Sequence, residues 1–277
     1  MAWQSGQFPH PQRVIHSTAI VHPKAKLHPS VKVGPYAVID AGVEIGADCE
    51  LGPHVYVTGL TKIGARNRFF AGCVIGEAPQ DLKYHGEPTR LRIGDDNVFR
   101  EHVTVHRSTT KEEETVIGSK CFLMANVHVA HNCHLADTII MANGALLGGY
   151  VHVAERAFIS GNCVVHQFVR IGTLTMLQGG CAVSADLPPY TMVNRVNELC
   201  GLNTVGLRRA GMSSAERLEL RRLYHSLFRK GQNLRAAVEA ARKKFNSVPA
   251  KTMLDFIAGS KRGICFGAGK AVAVEED

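Results

Sequence analysis

The sequence predicts a parallel β-helix closed by a small α-helical domain, and three observations carry that expectation. An apolar residue recurs every six positions from Ile15 to Val183: of 29 such positions, 26 are Ile, Val, Leu, Met or Phe. Flanking columns follow the same period, with glycine just after the apolar residue and small side chains four after it. Beyond Pro188, Pro189 and Tyr190 the period changes to helical spacing. Neither a helix of 3.6 residues per turn nor a simple alternating strand keeps a six-residue phase for so long.

Such a hexapeptide reads as one short strand and its turn. Three of them make a triangular coil, with the apolar column filling the prism and coils stacked about 4.8 Å apart. The glycine column (Gly34, Gly46, Gly52, Gly64 and others) is expected to permit backbone torsions that a side chain resists. Six of the eight cysteines fall in the small-residue column, as Cys49, Cys73, Cys121, Cys133, Cys163 and Cys181. With no C-x-x-C pair and no zinc-finger spacing, they read as buried free thiols of a reducing compartment, and no metal is expected. The three exceptions to the apolar column, Asp81, Glu87 and Lys111, mark external loops near 77–92 and 107–116. The repeat keeps its phase across both.

The expected organisation is an N-terminal arm over 1–14, the β-helix over 15–190 and a basic helical domain with a tail over 191–277. In the last part, Ser213 and Glu216 have capping-box spacing and precede Leu220, Leu223 and Leu227, with Gly231 as a stop. A second helix carries Leu234, Val238, Ala241 and Phe245 on one face. Net charge is +8, yet residues 1–205 balance at 17 basic and 17 acidic side chains, whereas residues 206–277 carry 15 against 7. The whole excess lies in the helical part, which therefore favours an acidic partner. No recognised nucleic-acid motif accompanies that charge, so no nucleic-acid partner is expected. No apolar run reaches the roughly 18 residues of a membrane span, and the start lacks the layout of a signal peptide; a cytoplasmic protein is expected.

In an 18-residue coil, residues 18 apart stand one above the other. His131 is followed one coil on by Gly149, beside Tyr150, and then by Gln167, beside His166. His128 stands half a repeat before His131. Two histidines and a phenol gathered in one column, with loops projecting nearby, form a candidate site.

The segment N-V-H-V-A-H-N-C (126–133) resembles the catalytic signature of the UDP-N-acetylglucosamine O-acyltransferases that begin lipid A biosynthesis. So do G-E-A-P-Q-D-L-K-Y-H-G-E-P-T-R (76–90), T-V-H-R (104–107), V-H-Q-F-V-R-I-G (165–172), D-L-P-P-Y (186–190), G-L-R-R-A-G (206–211) and S-K-R-G-I (260–264). The likeness runs in order along essentially the whole chain. It implies a left-handed β-helix, a homotrimer with sites between neighbouring prisms, no cofactor, and transfer of a hydroxyacyl chain from acyl carrier protein to the 3-hydroxyl of UDP-N-acetylglucosamine. Residue by residue, it implies His131 as general base and the Gly149 N–H as donor to the oxyanion. Asp81 and Lys83 would meet the acyl chain and the sugar; His106, His128, Tyr150, His166 and Gln167 would position the sugar and its phosphates. Asn203 and Arg209 would hold uridine and pyrophosphate. Gly179 would leave the acyl groove open for a chain near fourteen carbons.

Two positions depart from the family pattern. Asn132 stands where an Asp usually follows the catalytic His, so the residue orienting the base carries no charge. Tyr150 replaces a further His. Two other functions share the hexapeptide frame. A γ-type zinc carbonic anhydrase needs three converging histidines, which His106, His128 and His131 offer, and a non-catalytic scaffold would tolerate both departures. The N-acyltransferase of the same pathway carries an extra N-terminal domain, for which a repeat beginning at Ile15 leaves no room.

Overall fold

In each hexapeptide the every-sixth residue points inward, and successive hexapeptides turn a corner between three flat parallel sheets. The computed structural model describes residues 15–229 and 233–267. Among these the sheets hold 9, 8 and 11 strands, most of them two residues long. Registers advance by 18 residues per coil, as in Val38↔Tyr56 and Phe158↔Met176. Val57, Ile75, Val105, Val129 and Leu147 are fully buried in one wall. Burial of each such side chain contributes about 1.5–3 kcal/mol. That dry column, with one residue per hexapeptide, is what holds the prism together.

The two insertions lengthen single coils without shifting them. Ile75 pairs with Val105 and Val105 with Val129, steps of 30 and 24 residues in place of 18. The added lengths are twelve and six, multiples of the repeat, which is why the apolar phase survives. Both leave after strands of the same sheet, Val74–Glu77 and Thr104–His106, and rejoin the next sheet at Arg90–Ile93 and Glu114–Ile117. They therefore emerge from one corner of the prism.

Apart from Gly76, with φ 82°, the glycine column does not do what its torsional freedom suggested. Gly34, Gly46 and Gly148 have ordinary torsions, but an added Cβ would stand 2.8 Å from backbone atoms of the next coil. Close stacking of coils is their reason. The left-handed torsions fall two residues later and mostly on other residue types: Tyr36, Asp48, Arg66, Asp96, Lys120, Asn126, Asn132, Tyr150, Arg156 and Phe168 all have φ between 57° and 66°. A tight turn of this class needs a positive φ at its second central residue. The cost of about 1 kcal/mol per residue is offset by the stack on either side.

The small-residue column is buried as expected, with Cys49, Cys73, Cys133, Cys163 and Cys181 fully inside and unpaired. It also holds Asn67 and Asn97. Their amides donate to the Gly94 and Gly118 carbonyls at 2.8 and 2.9 Å, and their oxygens accept from the N–H groups of Asn97 and Cys121. Buried polar side chains are tolerated there because each is bonded.

The stack also runs past the Pro-Pro-Tyr segment. Thr191–Asn194 pairs with the strand Met176–Leu177 and then, antiparallel, with Glu198–Leu202. Four helices follow: α1 Thr204–Arg209, α2 Ser214–Phe228, α3 Leu234–Arg242 and α4 Val248–Ala258. The Ser213–Glu216 capping box forms with both of its bonds. Helix α2 ends with Arg229 as its cap; Gly231, the arm over 1–14 and the tail lie outside the described residues. The chain then returns to the prism, where Ser260 donates to the buried Asp186, which also takes the Arg170 guanidinium at 2.8 Å. Among the described residues no helix is long and apolar enough to cross a membrane.

Candidate active site

The corner from which both insertions emerge is also the corner that carries His131. Val129 points inward, and Cys133 is buried as the next wall begins. His131 and Asn132 form the turn between them, with Asn132 in the left-handed conformation. One coil on, the same turn is made by Gly149 and Tyr150, and the next by Gln167 and Phe168.

His131 lies outside the prism wall and is 8% exposed. Its ring rests on the backbone of Gly149: a Cβ placed there would stand 2.7 Å from Nε2 and 3.1 Å from Nδ1. Glycine at this position serves the imidazole directly. Tyr150 meets the ring edge-to-face with centroids 5.5 Å apart, and Phe168 stacks on Tyr150 at 4.8 Å. The column above His131 therefore continues through Tyr150 to Phe168. His166 does not belong to it: its Nδ1 lies 3.2 Å from the Gln167 carbonyl and 3.2 Å from the Arg262 guanidinium, on an exposed edge. The sequence expectation of two histidines in one column is corrected to one histidine under two aromatic rings.

The tautomer of His131 follows from its neighbours. Asn132 Oδ1 lies 3.0 Å from the Thr109 N–H and 3.0 Å from Thr109 Oγ1, and Asn132 Nδ2 lies 2.6 Å from Glu113 Oε2. A backbone N–H can only donate and an ionised carboxylate can only accept, so the amide has one allowed orientation. Its oxygen also faces His131 Nδ1 at 3.0 Å. That nitrogen must then carry the hydrogen, which leaves the lone pair on Nε2, beside Gly149. Among the described residues nothing accepts the Gly149 N–H. A proton acceptor and an unpaired backbone donor thus stand side by side.

His128 and His106 sit beside this corner on the adjoining wall. Their rings pack edge-to-face at 4.8 Å, and His128 Nδ1 pairs with Thr104 Oγ1 at 2.7 Å. Burial, and then the neighbouring His128 and His131, push His106 down to about 4. Burial also lowers His128. Both rings are therefore neutral near pH 7 and offer hydrogen bonds in place of charge. The buried His106 Nδ1 has no partner among the described residues. Among the described residues no three His, Cys, Asp or Glu side chains are placed to hold a metal.

Other candidates lie apart. Asp81 is half-buried at the start of the first loop, accepting from the Lys83 N–H at 2.9 Å, and the Lys83 side chain is exposed. The loop is tied down by Arg107, which donates to the Gly76 carbonyl at 2.7 Å and to the Tyr84 hydroxyl at 3.1 Å. Sequence reasoning gave Arg107 no role, although it closes the T-V-H-R segment. Asn203 caps α1: its oxygen accepts from Gly206 N–H and its amide donates to the Leu174 carbonyl. Arg209, at the end of that helix, is exposed. Gly179 is exposed on another corner, where an added Cβ would meet only the Gly161 carbonyl at 3.6 Å. Its own fold would admit a side chain.

Comparison with known proteins meets this geometry. Residues 186–265 match the family model described as UDP-N-acetylglucosamine O-acyltransferase, domain 2, and residues 24–59 match the bacterial transferase hexapeptide. The acyl-[acyl-carrier-protein]--UDP-N-acetylglucosamine O-acyltransferase of Gloeothece citriformis is 45% identical over 73% of this chain and 74% of its own length. Its namesake from Syntrophobacter fumaroxidans is 44% identical over 80% and 88%. The solved UDP-N-acetylglucosamine acyltransferase of Francisella novicida superposes with a TM-score of 0.89 at 36% identity, covering 95% of this chain and 99% of that one. The chain belongs to the UDP-N-acetylglucosamine O-acyltransferase family. The left-handed winding that periodicity leaves open comes with the family's fold. Membership also favours acyl transfer over the carbonic anhydrase and scaffold readings. At the corner of His131 the left-handed turns carry a neutral amide, Asn132, and two stacked rings, Tyr150 and Phe168.

Proposed function

We propose that the protein transfers a hydroxyacyl chain from acyl carrier protein to the 3-hydroxyl of UDP-N-acetylglucosamine, the first step of lipid A biosynthesis. The observation that carries the chemistry is the pairing of a free Nε2 on His131 with the unpaired N–H of Gly149. His131 Nε2 removes the proton of the sugar hydroxyl as its oxygen bonds to the thioester carbon. The carbonyl oxygen, now an anion, receives the Gly149 N–H. Collapse breaks the carbon–sulfur bond, and the carrier thiolate takes the proton back from His131. A base of this kind contributes about 10²–10⁴-fold.

His106, His128, His166 and Gln167 are assigned to the sugar and its phosphates, Asp81 and Lys83 to the acyl chain and sugar, and Arg209 to the pyrophosphate. Asn203 is assigned to the uridine end through the helix start it caps. Gly179 is assigned to acyl length. The apolar strip Leu146 and Val164, on the outer wall above His128, is exposed by more than 40% at each residue. It suits either an acyl chain or a neighbouring prism, and supports a homotrimer with the groove between copies. Exposed Arg221, Arg222, Arg235, Lys243 and Lys244 on and after α2 and α3 would steer the acidic carrier. The test is mass spectrometry of the product from UDP-N-acetylglucosamine and a mixed set of acyl-carrier thioesters, at low and high salt. An ester-linked product with a chain near fourteen carbons, formed more slowly at high salt, is expected. Absence of any acylated sugar nucleotide would overturn the reading, and salt-independent transfer would remove the steering.

A further inference from the structure

The base at this corner is oriented by a neutral amide, and the amide is itself held by a carboxylate. The second insertion is built to present that carboxylate. Ser108, fully buried, donates from one hydroxyl to the Glu113 and Thr110 carbonyls at 2.8 and 3.0 Å, while its own N–H donates to the Arg90 carbonyl at 3.1 Å. The loop is thereby folded back on the stack. Three adjacent glutamates follow Lys111, and they do different things: Glu112 and Glu113 are both exposed, but Glu113 turns its Oε2 onto Asn132 Nδ2 at 2.6 Å, while Glu114 pairs with Arg92 at 2.9 Å. Thr109, in the same insertion, supplies two donors to Asn132 Oδ1 and lies 3.1 Å from the Tyr150 hydroxyl. A short bond to a charged acceptor draws electron density through the amide and makes its oxygen a stronger acceptor for the Nδ1–H of His131.

We propose that Glu113 is a positioning residue for the acyl transfer: its carboxylate, acting through the Asn132 amide, holds His131 in the Nδ1–H tautomer and supplies the negative charge that the imidazolium meets as it forms. This rests on His131 being the base. The arrangement spreads over two side chains what an adjacent carboxylate does with one. Other titratable groups near His131 are His106, His128 and Tyr150, while Glu112, Glu114, His134 and His152 line a depression of about 320 Å³ with Glu113 and Asn132. The variants below leave all of these in place.

Glu113→Gln keeps an oxygen for Asn132 Nδ2 and removes only the charge. It should lower kcat about tenfold, a loss on the scale of one charge-assisted hydrogen bond, with KM for the sugar nucleotide unchanged. The acid limb of kcat/KM should move to lower pH, because a carboxylate stabilises the protonated ring and its removal makes the ring less basic. Asn132→Asp alone sets two carboxylates against each other and should be about as impaired. Combining Asn132→Asp with Glu113→Gln relieves that clash and places the charge directly on His131, restoring kcat to within about threefold of the parent and raising the acid limb. Rescue by a second substitution in the same network is not expected of a residue that only braces the loop. Wild-type kcat and an unmoved acid limb in Glu113→Gln would overturn the proposal, as would a double variant no better than Asn132→Asp. His131→Ala assayed alongside separates the two levels: if it stays active, the base assignment has failed, whereas an inactive His131→Ala with a fully active Glu113→Gln removes the Glu113 role alone.

Discussion

The corner bearing Arg66, Asp96 and Lys120 and the corner bearing Asn132, Tyr150 and Phe168 share one backbone geometry, with φ between 57° and 66° at all six residues. The first is solvated. Its main feature is an exposed bidentate pair, Arg66 with Asp96 at 2.6 and 2.9 Å, and no insertion leaves from it. The second carries both insertions, a stacked pair of aromatic rings, and an imidazole pressed onto a glycine. The turn itself is therefore neutral scaffold. On the proposed function, chemistry arises where an insertion folds back over a corner and brings donors from a different part of the chain.

The largest difference between the corners should appear when the imidazole is removed. His131→Ala is expected to lower kcat by 10²–10⁴-fold, about the contribution of a general base, with the thermal midpoint nearly unchanged because the side chain lies outside the prism. Gly149→Ala comes next. Its methyl would occupy the space of the His131 ring, and displacing a base by about 1 Å costs about 10²-fold. Activity near that of the parent would mean that the ring does not rest on this backbone. A smaller effect concerns His106. Its native pKa, about 4, lies below the ordinary 6.5, so the unfolded chain binds a proton that the native one refuses between those values. Stability should therefore fall as pH drops from about 6.5 toward 4, and His106→Gln should flatten that slope in urea midpoints measured across the range. The smallest effect belongs to the plain corner: Arg66→Ala should leave transfer rate and thermal midpoint at parental values, since exposed pairs contribute little.

The prism was legible because a single inward position per hexapeptide is a severe constraint, and few folds besides a triangular coil place one apolar residue in six at fixed phase. The loops were legible as interruptions of that column. Their contents were not. Glu113 lies in a run of three glutamates that look equivalent, and only the fold of residues 107–113, closed by the buried Ser108, selects one of them. Arg107 and Thr109 act on atoms 31 and 23 residues away, Gly76 and Asn132, a relation carried by the stack and invisible to local pattern. His166 stands over Gly148, one position before the turn residue Gln167, and meets Arg262 from 96 residues downstream, a contact that no local pattern shows. Helix α4 did have a signal, Ser247 as cap with Pro249 in the first turn, but its mostly apolar sequence shows little amphipathic contrast because Met253, Leu254 and Ile257 are all buried. Outside Gly76, the glycine column misled for a physical reason. Absence of a side chain serves close approach as readily as unusual torsion, and sequence alone does not separate the two.

The central claim is that one imidazole at this corner keeps its lone pair on Nε2, facing the Gly149 amide, while Asn132 holds the hydrogen on Nδ1. The most direct measurement is the ¹⁵N NMR spectrum of histidine-labelled protein at mildly alkaline pH, with His131 assigned by its loss in His131→Gln. An unprotonated Nε2 and a protonated Nδ1 at that residue is the predicted result. A protonated Nε2 would contradict the account, because no base would then face the sugar hydroxyl.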